Sequence, residues 1–405
     1  MAQQLPLADV KVLDFTWVMA GPATTRMLAD FGATIVRIEA PARIDTARTL
    51  QPFLDDTPGT DTSGLFGNCN AGKFGIVLDL NNPRTREIVL DLVRWADVVT
   101  ESFSPGTMRA FGLDYESLRM VKPDIIMLST CLMGQSGPLA KLAGFGNMAA
   151  AICGFYDLTG WPDRPPAGPF GAYTDYIVPR FTAAALLAAL DYRRRTGQGQ
   201  YIDQSQAETA LHVLGPALLD YTVNGRSPSR AGNADARFAP HGVYPAASED
   251  RWVAIVCRSD QDWTNLCTAM GRGELAGDAR FATAAQRRQG RDELDAIIAG
   301  WTLTLDAQHA QELLQARGVP VHQVQNSAEM LADPQVRHRG HFVKLAHPTL
   351  GAFTVEAPRA RLSRTPGEVR RAAPTVGQDN AYVLQTILGY DEERVTELAL
   401  AGVFG

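Results

Sequence analysis

A single carboxylate stands where a loop rich in glycine and proline meets an apolar segment. The loop runs from Gly168 to Asp175, and an apolar run of helical character follows at 181–190. The start of a helix offers unpaired backbone N–H groups and the positive end of the helix dipole. A carboxylate placed there stays ionised in a partly apolar pocket and can act as a nucleophile. An aspartate in this position more often caps the helix, so the choice between a cap and a nucleophile depends on the rest of the chain.

Other reactive groups of the chain do not form recognisable sites. His338 and His341 lie close together, but no carboxylate or cysteine nearby completes a set of metal ligands, so no metal site is expected. Ser136 lacks the outer glycines of the G-x-S-x-G elbow that hydrolases place around a nucleophilic serine. The surrounding segment, Gly134–Gly137, is either a flexible loop or a ligand-binding loop.

The elements that must position Asp175 begin with an alternation of strands and helices. Apolar runs typical of buried strands lie at 11–16, 33–39, 97–103 and 124–130. Stretches with helical spacing lie at 21–31, 82–95, 181–195 and 206–221. Such an alternation predicts an α/β fold with a parallel sheet covered on both faces.

The turn after the first strand occupies the place of a dinucleotide-binding turn but lacks its glycines. Trp17–Pro22 does not match G-x-G-x-x-G and so lacks the glycines that let a backbone approach a pyrophosphate closely. Glu39, however, stands at the position of a ribose-binding acid. A structural βαβ unit is therefore a better hypothesis than a NAD site. A third interpretation is that this turn holds an adenine nucleotide through backbone groups and nearby Lys or Arg.

Length and composition are those of an ordinary globular protein with more than one domain. The chain has 405 residues, so at least two domains are expected, and a net charge of −6 argues against non-specific binding of nucleic acid. No apolar run approaches about 18 residues, so no membrane span is predicted. The N-terminus lacks the basic and apolar regions of a signal peptide. Five widely spaced cysteines favour reduced thiols and a cytoplasmic location.

A change in composition divides the chain. The polar stretch 224–233, with Asn, Gly, Ser and Pro, is typical of a linker. A smaller α+β unit follows at about 243–324, and the remainder contains strand-like segments and a final helix at 380–388. We therefore expect a larger α/β domain and a smaller α+β domain.

Several segments together resemble the class III CoA-transferases, a family that also includes α-methylacyl-CoA racemases. They are Val12–Thr16, Ala20–Pro22, Leu28–Ala33, Ile38–Glu39, Asn68–Asn70, Pro105–Met108, Thr196–Gln200 and Asn233. The resemblance covers essentially the whole chain, and the order and spacing of the segments are specific. It implies a Rossmann-like large domain and a smaller α+β domain, in ring-shaped chains that interlock as a dimer. The dimer is formed by two copies or with a paralogous subunit.

In that architecture the two ends of the chain share one domain. The resemblance implies that residues 1–223 form the CoA-binding N-terminal part of the large domain, and that 224–242 is a linker. It further implies that 243–330 is the small domain and that 331–405 return to complete the large domain. Threaded chains are rare, so neither composition nor periodicity suggests this plan.

The resemblance also assigns residues to the reaction. Asp175 corresponds to the family nucleophile, since it stands just before the helix that precedes the T-G-x-G-Q motif. Three residues after the first strand would contact CoA through their backbone: Val18, Met19 and Ala20. Three cations are candidates for the phosphates: Lys73, Arg109 and Lys141. Some relatives carry a CoA-contacting arginine at the position of Ala110. Arg109 stands one residue earlier in this chain.

Residues around the nucleophile are candidates for the substrate pocket. The loop with Gly134, Gln135 and Gly137 would supply N–H groups to the reacting carbonyl oxygens. Nearby aromatic side chains either pack in the core or accept an aromatic or branched acid: Phe145, Phe170, Tyr173 and Tyr176. Arg180 and His241 are candidates for pairing with a distal carboxylate.

One motif separates the two chemistries of the family. Racemases carry an Ala-Gly-His-Asp motif, and its histidine exchanges a proton at the α-carbon. The corresponding residues here are Ala143–Gly146, so Phe145 replaces the histidine and cannot move a proton. A transferase is therefore favoured over a racemase or epimerase.

The resemblance thus implies a CoA-transferase that works through covalent intermediates. Asp175 would carry first an acyl group as a mixed anhydride and then CoA as a thioester. Succinyl-CoA is the expected donor. The expected acceptor is a dicarboxylate such as mesaconate, malate or citramalate, or an arylsuccinate such as benzylsuccinate. CoA and acyl-CoA are substrates, and neither a metal nor a permanently bound cofactor is expected. A catalytically silent CoA-binding partner subunit is the non-enzymatic alternative.

Overall fold

The computed structural model describes residues 4–405. The strands are β1 Lys11–Phe15, β2 Thr34–Glu39, β3 Phe74–Val77, β4 Val98–Glu101, β5 Ile126–Cys131, β6 Tyr201–Ser205, β7 His241–Pro245, β8 Trp252–Val256, β9 Val321–Gln323, β10 Phe342–His347 and β11 Gly351–Glu356. The α-helices are α1 Ala20–Asp30, α2 Gly64–Asn70, α3 Thr85–Trp95, α4 Thr107–Ala110, α5 Tyr115–Val121, α6 Gly146–Ile152, α7 Phe155–Leu158, α8 Tyr173–Thr196, α9 Gln206–Leu211, α10 Gly215–Asn224, α11 Asp260–Ala269, α12 Ala284–Gln289, α13 Arg291–Thr302, α14 Ala307–Gln315, α15 Ser327–Ala332, α16 Pro334–Arg339 and α17 Glu392–Leu400. A π-helix spans Tyr382–Ile387. Within residues 4–405, no helix combines the length and hydropathy needed to cross a membrane.

The first compact unit consists of the chain up to Phe155 together with residues 168–227 and 335–405. It contains a six-stranded parallel sheet with the strand order β3-β2-β1-β4-β5-β6. The order changes direction between β1 and β4, and open sheets of this kind bind ligands beyond the carboxyl ends of the strands at that point. The predicted α/β class is confirmed, and β3 and β6 are edge strands that the sequence pattern does not predict.

Alternate residues of β1 face two different layers of helices. Leu13 and Phe15 are buried with residues of α3 and of the C-terminal segment, whereas Val12 is buried with residues of α1 and α8. Both faces of the sheet are therefore covered. Full burial of one aliphatic side chain contributes about 1.5–3 kcal/mol, so these two layers hold the strand ends in fixed positions.

Helix α8 carries Asp175 and is longer than the sequence pattern predicts. It spans 24 residues and begins at Tyr173, so Asp175 lies in its first turn and not in the loop before it. Pro179 lies inside the helix and has no N–H for the helical hydrogen-bond ladder. For this reason the sequence of the N-terminal part of α8 predicts a loop, although the structure has a helix there. The helix ends at Gly197, whose φ of 73° is the usual left-handed conformation at a helix C-terminus.

The C-terminal segment completes the first unit. The N–H of Gly75 donates to Oδ2 of Asp379 at 2.8 Å, and the N–H of Val77 donates to Oδ1 of Asn380 at 2.9 Å. Both N–H groups belong to the edge strand β3, whose unpaired backbone could otherwise pair with another chain. Two side chains from the far end of the sequence therefore close this edge of the sheet.

The second compact unit consists of residues 156–167 and 228–334. It contains the antiparallel sheet β7-β8-β9 and helices α11 to α15. Trp263 is buried in its core and packs edge-to-face on Phe281, with ring centres 6.2 Å apart. Compared with the expected small domain at 243–330, this unit begins earlier and includes a segment that precedes α8.

Candidate active site

A buried ion pair holds the turn that follows β1. Val18 has a φ of 66°, a left-handed conformation that β-branched residues rarely adopt. Its N–H donates to Oδ1 of Asp45 at 2.9 Å, and Asp45 forms a salt bridge with Arg37, both side chains being completely buried. Arg37 also donates to the carbonyl oxygen of Thr16 at 2.6 Å. The network compensates the strain at Val18 and fixes the direction of the backbone that follows.

A cavity of about 730 Å³ opens beside this turn, at the carboxyl ends of β1, β4 and β5. Its volume is typical of small-molecule sites. Arg43 and Asp175 are the charged side chains among its lining residues, and the remaining walls are mostly apolar. In residues 4–405, no group of three or more His, Cys, Asp and Glu side chains is arranged to hold a metal ion.

Asp175 lines this cavity from the first turn of α8 and is only 4% exposed. Its Oδ2 accepts a hydrogen bond from the N–H of Gly146 at 3.1 Å. Burial raises the pKa of Asp175 to about 6, and the hydrogen bond from Gly146 opposes that rise. The carboxylate is therefore mostly ionised at neutral pH but poorly solvated, a state suited to nucleophilic attack.

Gly146 lies too close to Asp175 to carry a side chain. A Cβ on Gly146 would lie 2.7 Å from the backbone oxygen of Ala172, 2.7 Å from the backbone nitrogen of Asp175 and 2.9 Å from its Cγ. In addition, the hydroxyl of Thr174 donates to the carbonyl oxygen of Gly146 at 3.1 Å. The start of α6 and the first turn of α8 are therefore held together through both the N–H and the carbonyl group of one glycine.

The residues predicted to contact CoA after β1 come together at the cavity. Val18, Met19 and Ala20 all line it. Arg43, which the sequence analysis does not single out, lines it as well, and its guanidinium lies 5.5 Å from the ring centre of Trp17. Its place shortly after β2, at the edge of the sheet where ligands bind, is the signal that could have revealed it.

Lys73 does not reach the cavity, and the prediction that it contacts CoA phosphates is corrected. Its side chain is fully buried, and its Nζ lies 3.0 Å from Oδ2 of Asp14, 2.9 Å from Oδ1 of Asn70 and 2.9 Å from the carbonyl oxygen of Pro22. An ammonium group has three donors, and all three are used here. Lys73 therefore neutralises the buried Asp14 beneath the first turn of α1.

The other two predicted cations do not line the cavity with Asp175. Arg109 lines a second cavity, of about 400 Å³, and pairs with Asp114 at 3.0 Å. Lys141 is exposed, but its neighbours Ala140 and Leu142 both line the first cavity. Lys141 therefore lies beside the first cavity, whereas Arg109 lines a different one.

The loop with Gly134, Gln135 and Gly137 does not supply the N–H group that bonds the candidate nucleophile. The N–H of Gln135 donates instead to Oδ1 of Asp203 at 2.9 Å, and Gln135 lines the second cavity. The two glycines have φ values of 83° and 97° and shape the turn. The N–H that reaches the candidate nucleophile is that of Gly146, which corrects the prediction for the loop.

The aromatic residues near the nucleophile have different environments. Phe145 lines the cavity and is half exposed. Tyr173 packs edge-to-face on Phe155, with ring centres 5.3 Å apart, and Tyr176 is partly exposed outside the cavity wall. Phe170 is almost fully exposed. Of the predicted aromatic lining, the structure places only Phe145 in the cavity.

The polar residues that line the cavity differ from those predicted to pair with a distal carboxylate. Arg180 lies on the exposed side of α8, and His241 belongs to the second unit, where its Nδ1 lies 2.7 Å from the carbonyl oxygen of Asn233. Thr130 and Gln206, by contrast, line the cavity. Neither lies in a sequence motif, so their place in the cavity wall becomes visible only from the fold.

These features describe an α/β protein with one buried carboxylate in a cavity at the switch point of its sheet. A sequence model described as "CoA-transferase family III" matches residues 7–380. The chain belongs to this family, and the predicted identification as a class III CoA-transferase is confirmed.

Individual relatives match almost the whole chain. It is 35% identical to a protein of Chloroflexus aurantiacus named succinyl-CoA–D-citramalate CoA-transferase, over 97% of this chain and 96% of that one. It is 34% identical to the succinate–glutarate CoA-transferase of Agrobacterium fabrum, over 94% and 95% of the two chains. The crystal structure of a CaiB/BaiF family protein from Brucella suis is similar with a TM-score of 0.88 and 32% identity, over 95% of this chain and 100% of that one. This likeness supports the fold described above.

Proposed function

We propose that this protein transfers CoA from succinyl-CoA to a dicarboxylic acid, with Asp175 as the nucleophile. The observation that carries the proposal is the buried carboxylate of Asp175, which faces the cavity with one oxygen held by a backbone N–H group. Both relatives described above are named for transfer between succinyl-CoA or succinate and another dicarboxylate. An arylsuccinate such as benzylsuccinate is a further acceptor to test, because the aromatic ring of Phe145 lines the cavity.

The proposed reaction has four steps that balance. A carboxylate oxygen of Asp175 attacks the thioester carbonyl, the C–S bond breaks, and CoA leaves as the thiolate from a mixed anhydride. The thiolate attacks Cγ of Asp175, and the donor acid leaves with the bridging oxygen. The carboxylate of the acceptor then attacks the aspartyl thioester and releases the thiolate again. The thiolate finally attacks the acyl carbonyl of the acceptor, which forms the new CoA ester and regenerates Asp175.

The surroundings of Asp175 suit these steps. Because Gly146 holds Oδ2, the other carboxylate oxygen is left to attack in a defined direction. When Cγ is attacked in the later steps, the same N–H group is in place to stabilise negative charge on the oxygen that it contacts. One thioester is exchanged for another, so the reaction needs no additional source of energy.

We place the nucleotide part of CoA at the end of the cavity formed by Val18, Met19, Ala20 and Arg43. The support is chemical: the start of α1 offers unpaired N–H groups, and a guanidinium favours phosphate. Lys141, exposed beside the cavity wall, offers a second positive charge.

The same cavity argues against the two alternatives. Phe145 and Gly146 cannot exchange a proton with an α-carbon, and burial raises the pKa of the Cys131 thiol to about 11, so this lining residue is protonated at neutral pH. A racemase would thus lack a second base beside Asp175. A silent CoA-binding subunit would have no use for a nucleophile held in this way.

We further propose a cytoplasmic, interlocked dimer, formed by two copies or with a paralogous subunit. Helix α10 supports an association because it exposes four large apolar side chains: Leu218, Leu219, Tyr221 and Val223. The five cysteines are free thiols, as in reducing compartments. Native mass spectrometry of the purified chain tests the proposal, since a stable monomer without activity would point to a missing partner.

The function is tested by mixing the purified protein with succinyl-CoA and a panel of acids, including dicarboxylates and benzylsuccinate, and by detecting new CoA esters by mass spectrometry. Asp175→Ala should form none. Asp191→Asn is a matched control, since Asp191 lies on the same helix but is exposed and paired with Arg195. Transfer by Asp175→Ala at the wild-type rate would exclude the assignment.

A heavy-oxygen label tests the covalent route. In the proposed steps, the acceptor carboxylate gives one of its oxygens to Asp175 in each turnover. With a labelled acceptor acid, the peptide that contains Asp175 should therefore gain heavy oxygen, and the peptide that contains Asp191 should not. Turnover without label at Asp175 would contradict the anhydride mechanism while leaving CoA transfer itself established.

A further inference from the structure

A buried glutamate at the end of β4 is bonded to the backbone of the Asp175 cavity wall. Glu101 is 2% exposed and lines the second cavity, of about 400 Å³. Its Oε2 accepts a hydrogen bond from the N–H of Phe103 at 2.6 Å. Phe103 lines the Asp175 cavity, and Ser104 lines both cavities. A carboxyl group in one cavity is therefore attached to a residue that shapes the other.

The residues that follow Glu101 contact the turn after β1. We call residues 102–105 the wall segment, since all four line the Asp175 cavity. Oγ of Ser102 accepts a hydrogen bond from the N–H of Trp17 at 2.9 Å. The ring of Phe103 packs edge-to-face on that of Trp17, with ring centres 5.7 Å apart. The next residue, Val18, belongs to the end of the cavity at which we place the nucleotide part of CoA, so a shift of the wall segment would change that end.

The contacts of Glu101 suit its ionised form. Besides the N–H of Phe103, the hydroxyl of Ser129 bonds the carboxyl group, and Nε2 of Gln135 donates to its Oε1 at 3.4 Å. A carboxylate only accepts hydrogen bonds, whereas a carboxylic acid must also place a proton among these donors. Hydrogen bonds to an ionised acceptor are roughly twice as strong as those between neutral groups. Loss of the charge therefore weakens the bond that holds Phe103.

The surroundings of Glu101 bring its change of charge close to neutral pH. Its register neighbours on β5 and β6 are Ser129 and Asp203, so a second carboxylate lies on the same face of the sheet. Burial raises the pKa of Glu101 to about 7; the Ser129 hydroxyl and the Phe103 N–H oppose the rise, and Asp203 adds to it. Within residues 4–405, no cation is among the groups that shift this pKa. A small change in pH therefore changes the fraction of Glu101 that is ionised.

Other titratable groups face Glu101 from the neighbouring strands and from the second cavity. They are Cys131, Tyr201 and Asp203 on β5 and β6, and Arg109, Asp114, Tyr115 and Glu116 on or beside α4 and α5. Burial raises the pKa of the Cys131 thiol to about 11 and also raises that of Tyr201, so both groups are neutral near pH 7. Arg109 is paired with Asp114 at 3.0 Å, so it is not a free counter-charge for Glu101. Glu116 is likewise paired, with Arg119.

On the basis of the proposed binding of CoA in the Asp175 cavity, we infer that Glu101 is a positioning residue for CoA. In its ionised form it holds the wall segment through the N–H of Phe103 and thereby raises the affinity for CoA. Glu101 does not line the Asp175 cavity, so it acts through Phe103 and not by contact with the ligand. The direct effect of its charge would be to repel the phosphates of CoA and to lower the affinity. The sign of the effect on CoA binding therefore separates the two roles.

The test compares the wild-type protein with Glu101→Gln in calorimetric titrations with CoA from pH 5.5 to 8.5. Glutamine has nearly the shape of glutamate and the neutral charge of its protonated form. We expect Glu101→Gln to bind CoA about fivefold more weakly than wild type at pH 8.5 and equally well at pH 5.5. The CoA phosphates and Asp175 titrate in the same way with both proteins, so the ratio of the two Kd values reports on Glu101.

Steady-state assays separate positioning from a general loss of structure. At pH 8.5, Glu101→Gln should raise the KM for succinyl-CoA and leave kcat unchanged. The acceptor acid reacts after CoA has become covalently bound, so its kcat/KM depends on pH through Asp175 and not through Glu101. A fall of kcat together with the rise in KM would contradict the inference, because the substitution would then disturb the nucleophile as well.

Two neighbours of Glu101 provide matched controls. Asp203→Asn removes a nearby charge, but Asp203 bonds the N–H of Gln135 and not that of Phe103. We expect this variant to bind CoA at least as tightly as wild type at pH 8.5 and to move the pH dependence of binding to lower pH, since Asp203 raises the pKa of Glu101. Ser129→Ala removes a hydrogen bond that lowers this pKa and should move the dependence to higher pH. Both shifts test the inference even where Glu101→Gln fails to fold.

The possible outcomes are distinct. Tighter binding of CoA by Glu101→Gln at pH 8.5 would show that repulsion prevails and would overturn the inference. A ratio of Kd values that stays constant over the pH range would also overturn it, since the charge of Glu101 would then have no part in binding. Either result leaves the proposed function intact when CoA transfer is observed. Absence of CoA binding by the wild-type protein would refute the proposed function, and this inference with it.

Discussion

Replacement of Gly146 by alanine tests the geometry of the nucleophile directly. The added Cβ would lie 2.7 Å from the backbone nitrogen of Asp175 and 2.9 Å from its Cγ, and side-chain carbons essentially never approach other atoms so closely. The contacted atoms include backbone, so the first turn of α8 must move. A displacement on the order of 1 Å at a reacting group costs about a hundredfold in rate. We therefore expect Gly146→Ala to lower kcat about a hundredfold.

The same substitution should also lower the free energy of unfolding, by about 1–3 kcal/mol, because the site is overpacked. A steric control is available in the same unit. A Cβ on Gly67 would lie 2.6 Å from Cε1 of Phe353, and neither residue lines the cavity. We expect Gly67→Ala to lose less stability than Gly146→Ala, because the contacted atoms are the far end of the Phe353 side chain, and to retain its kcat.

The two variants are compared by urea denaturation and by the rate of ester formation from succinyl-CoA. A pH profile adds a further readout, because loss of the N–H bond to Asp175 should raise the pKa of its carboxyl further and move the activity profile to higher pH. The reasoning is refuted when Gly146→Ala retains wild-type kcat despite a measurable loss of stability, because the contact with Asp175 would then have no catalytic consequence.

Three further predictions concern charged groups. Burial raises the pKa of Asp175 from 3.8 to about 6. Between these two pH values the carboxyl group is protonated in the folded protein but ionised in the unfolded chain, so the free energy of unfolding decreases as the pH rises. Urea denaturation should show Asp175→Asn to be more stable than wild type by roughly 2–3 kcal/mol at pH 7 and equally stable below pH 4, while wild-type kcat/KM should increase with pH up to about 6. Lys73→Met should lower stability by about 3–5 kcal/mol, because it leaves Asp14 buried without its counter-charge, and a CoA titration of the folded protein should show unchanged affinity. Arg43→Gln should raise the KM for succinyl-CoA about tenfold at unchanged kcat in steady-state assays, because a charge-assisted contact with phosphate is lost.

The sequence predicts the interior of the sheet better than its edges. The predicted strands at 33–39 and 124–130 correspond to β2 and β5, because runs of apolar residues are typical of strands buried on both faces. The edge strand β3 has four residues, and β6 contains several polar ones, so neither shows that pattern. The apolar pattern also predicts that α8 begins at 181, whereas it begins at Tyr173, because Pro179 interrupts the pattern typical of a helix.

The site is predictable where it depends on a side chain in a motif and not where it depends on tertiary contacts. Asp175 stands out by its residue type and its place before the T-G-x-G-Q motif. The burial of Lys73 is not predictable, since lysines are rarely buried and its acceptors come from separate segments, at Asp14, Pro22 and Asn70. The N–H of Gly146 is a backbone group, so the side-chain pattern carries no sign of its role.

The path of the chain has a consequence for synthesis on the ribosome. The core of the second unit comes from one continuous stretch, between Ala239 and Val321, whereas the core of the first unit also needs Val383, Leu384 and Leu398. At about 5–20 residues per second, the last of these emerges roughly 4–15 s after the core of the second unit is complete. We therefore expect the second unit to fold first, at a time when the apolar faces of the sheet in the first unit are still incompletely covered. This interval is the period in which a chaperone would contribute most to the yield of the enzyme.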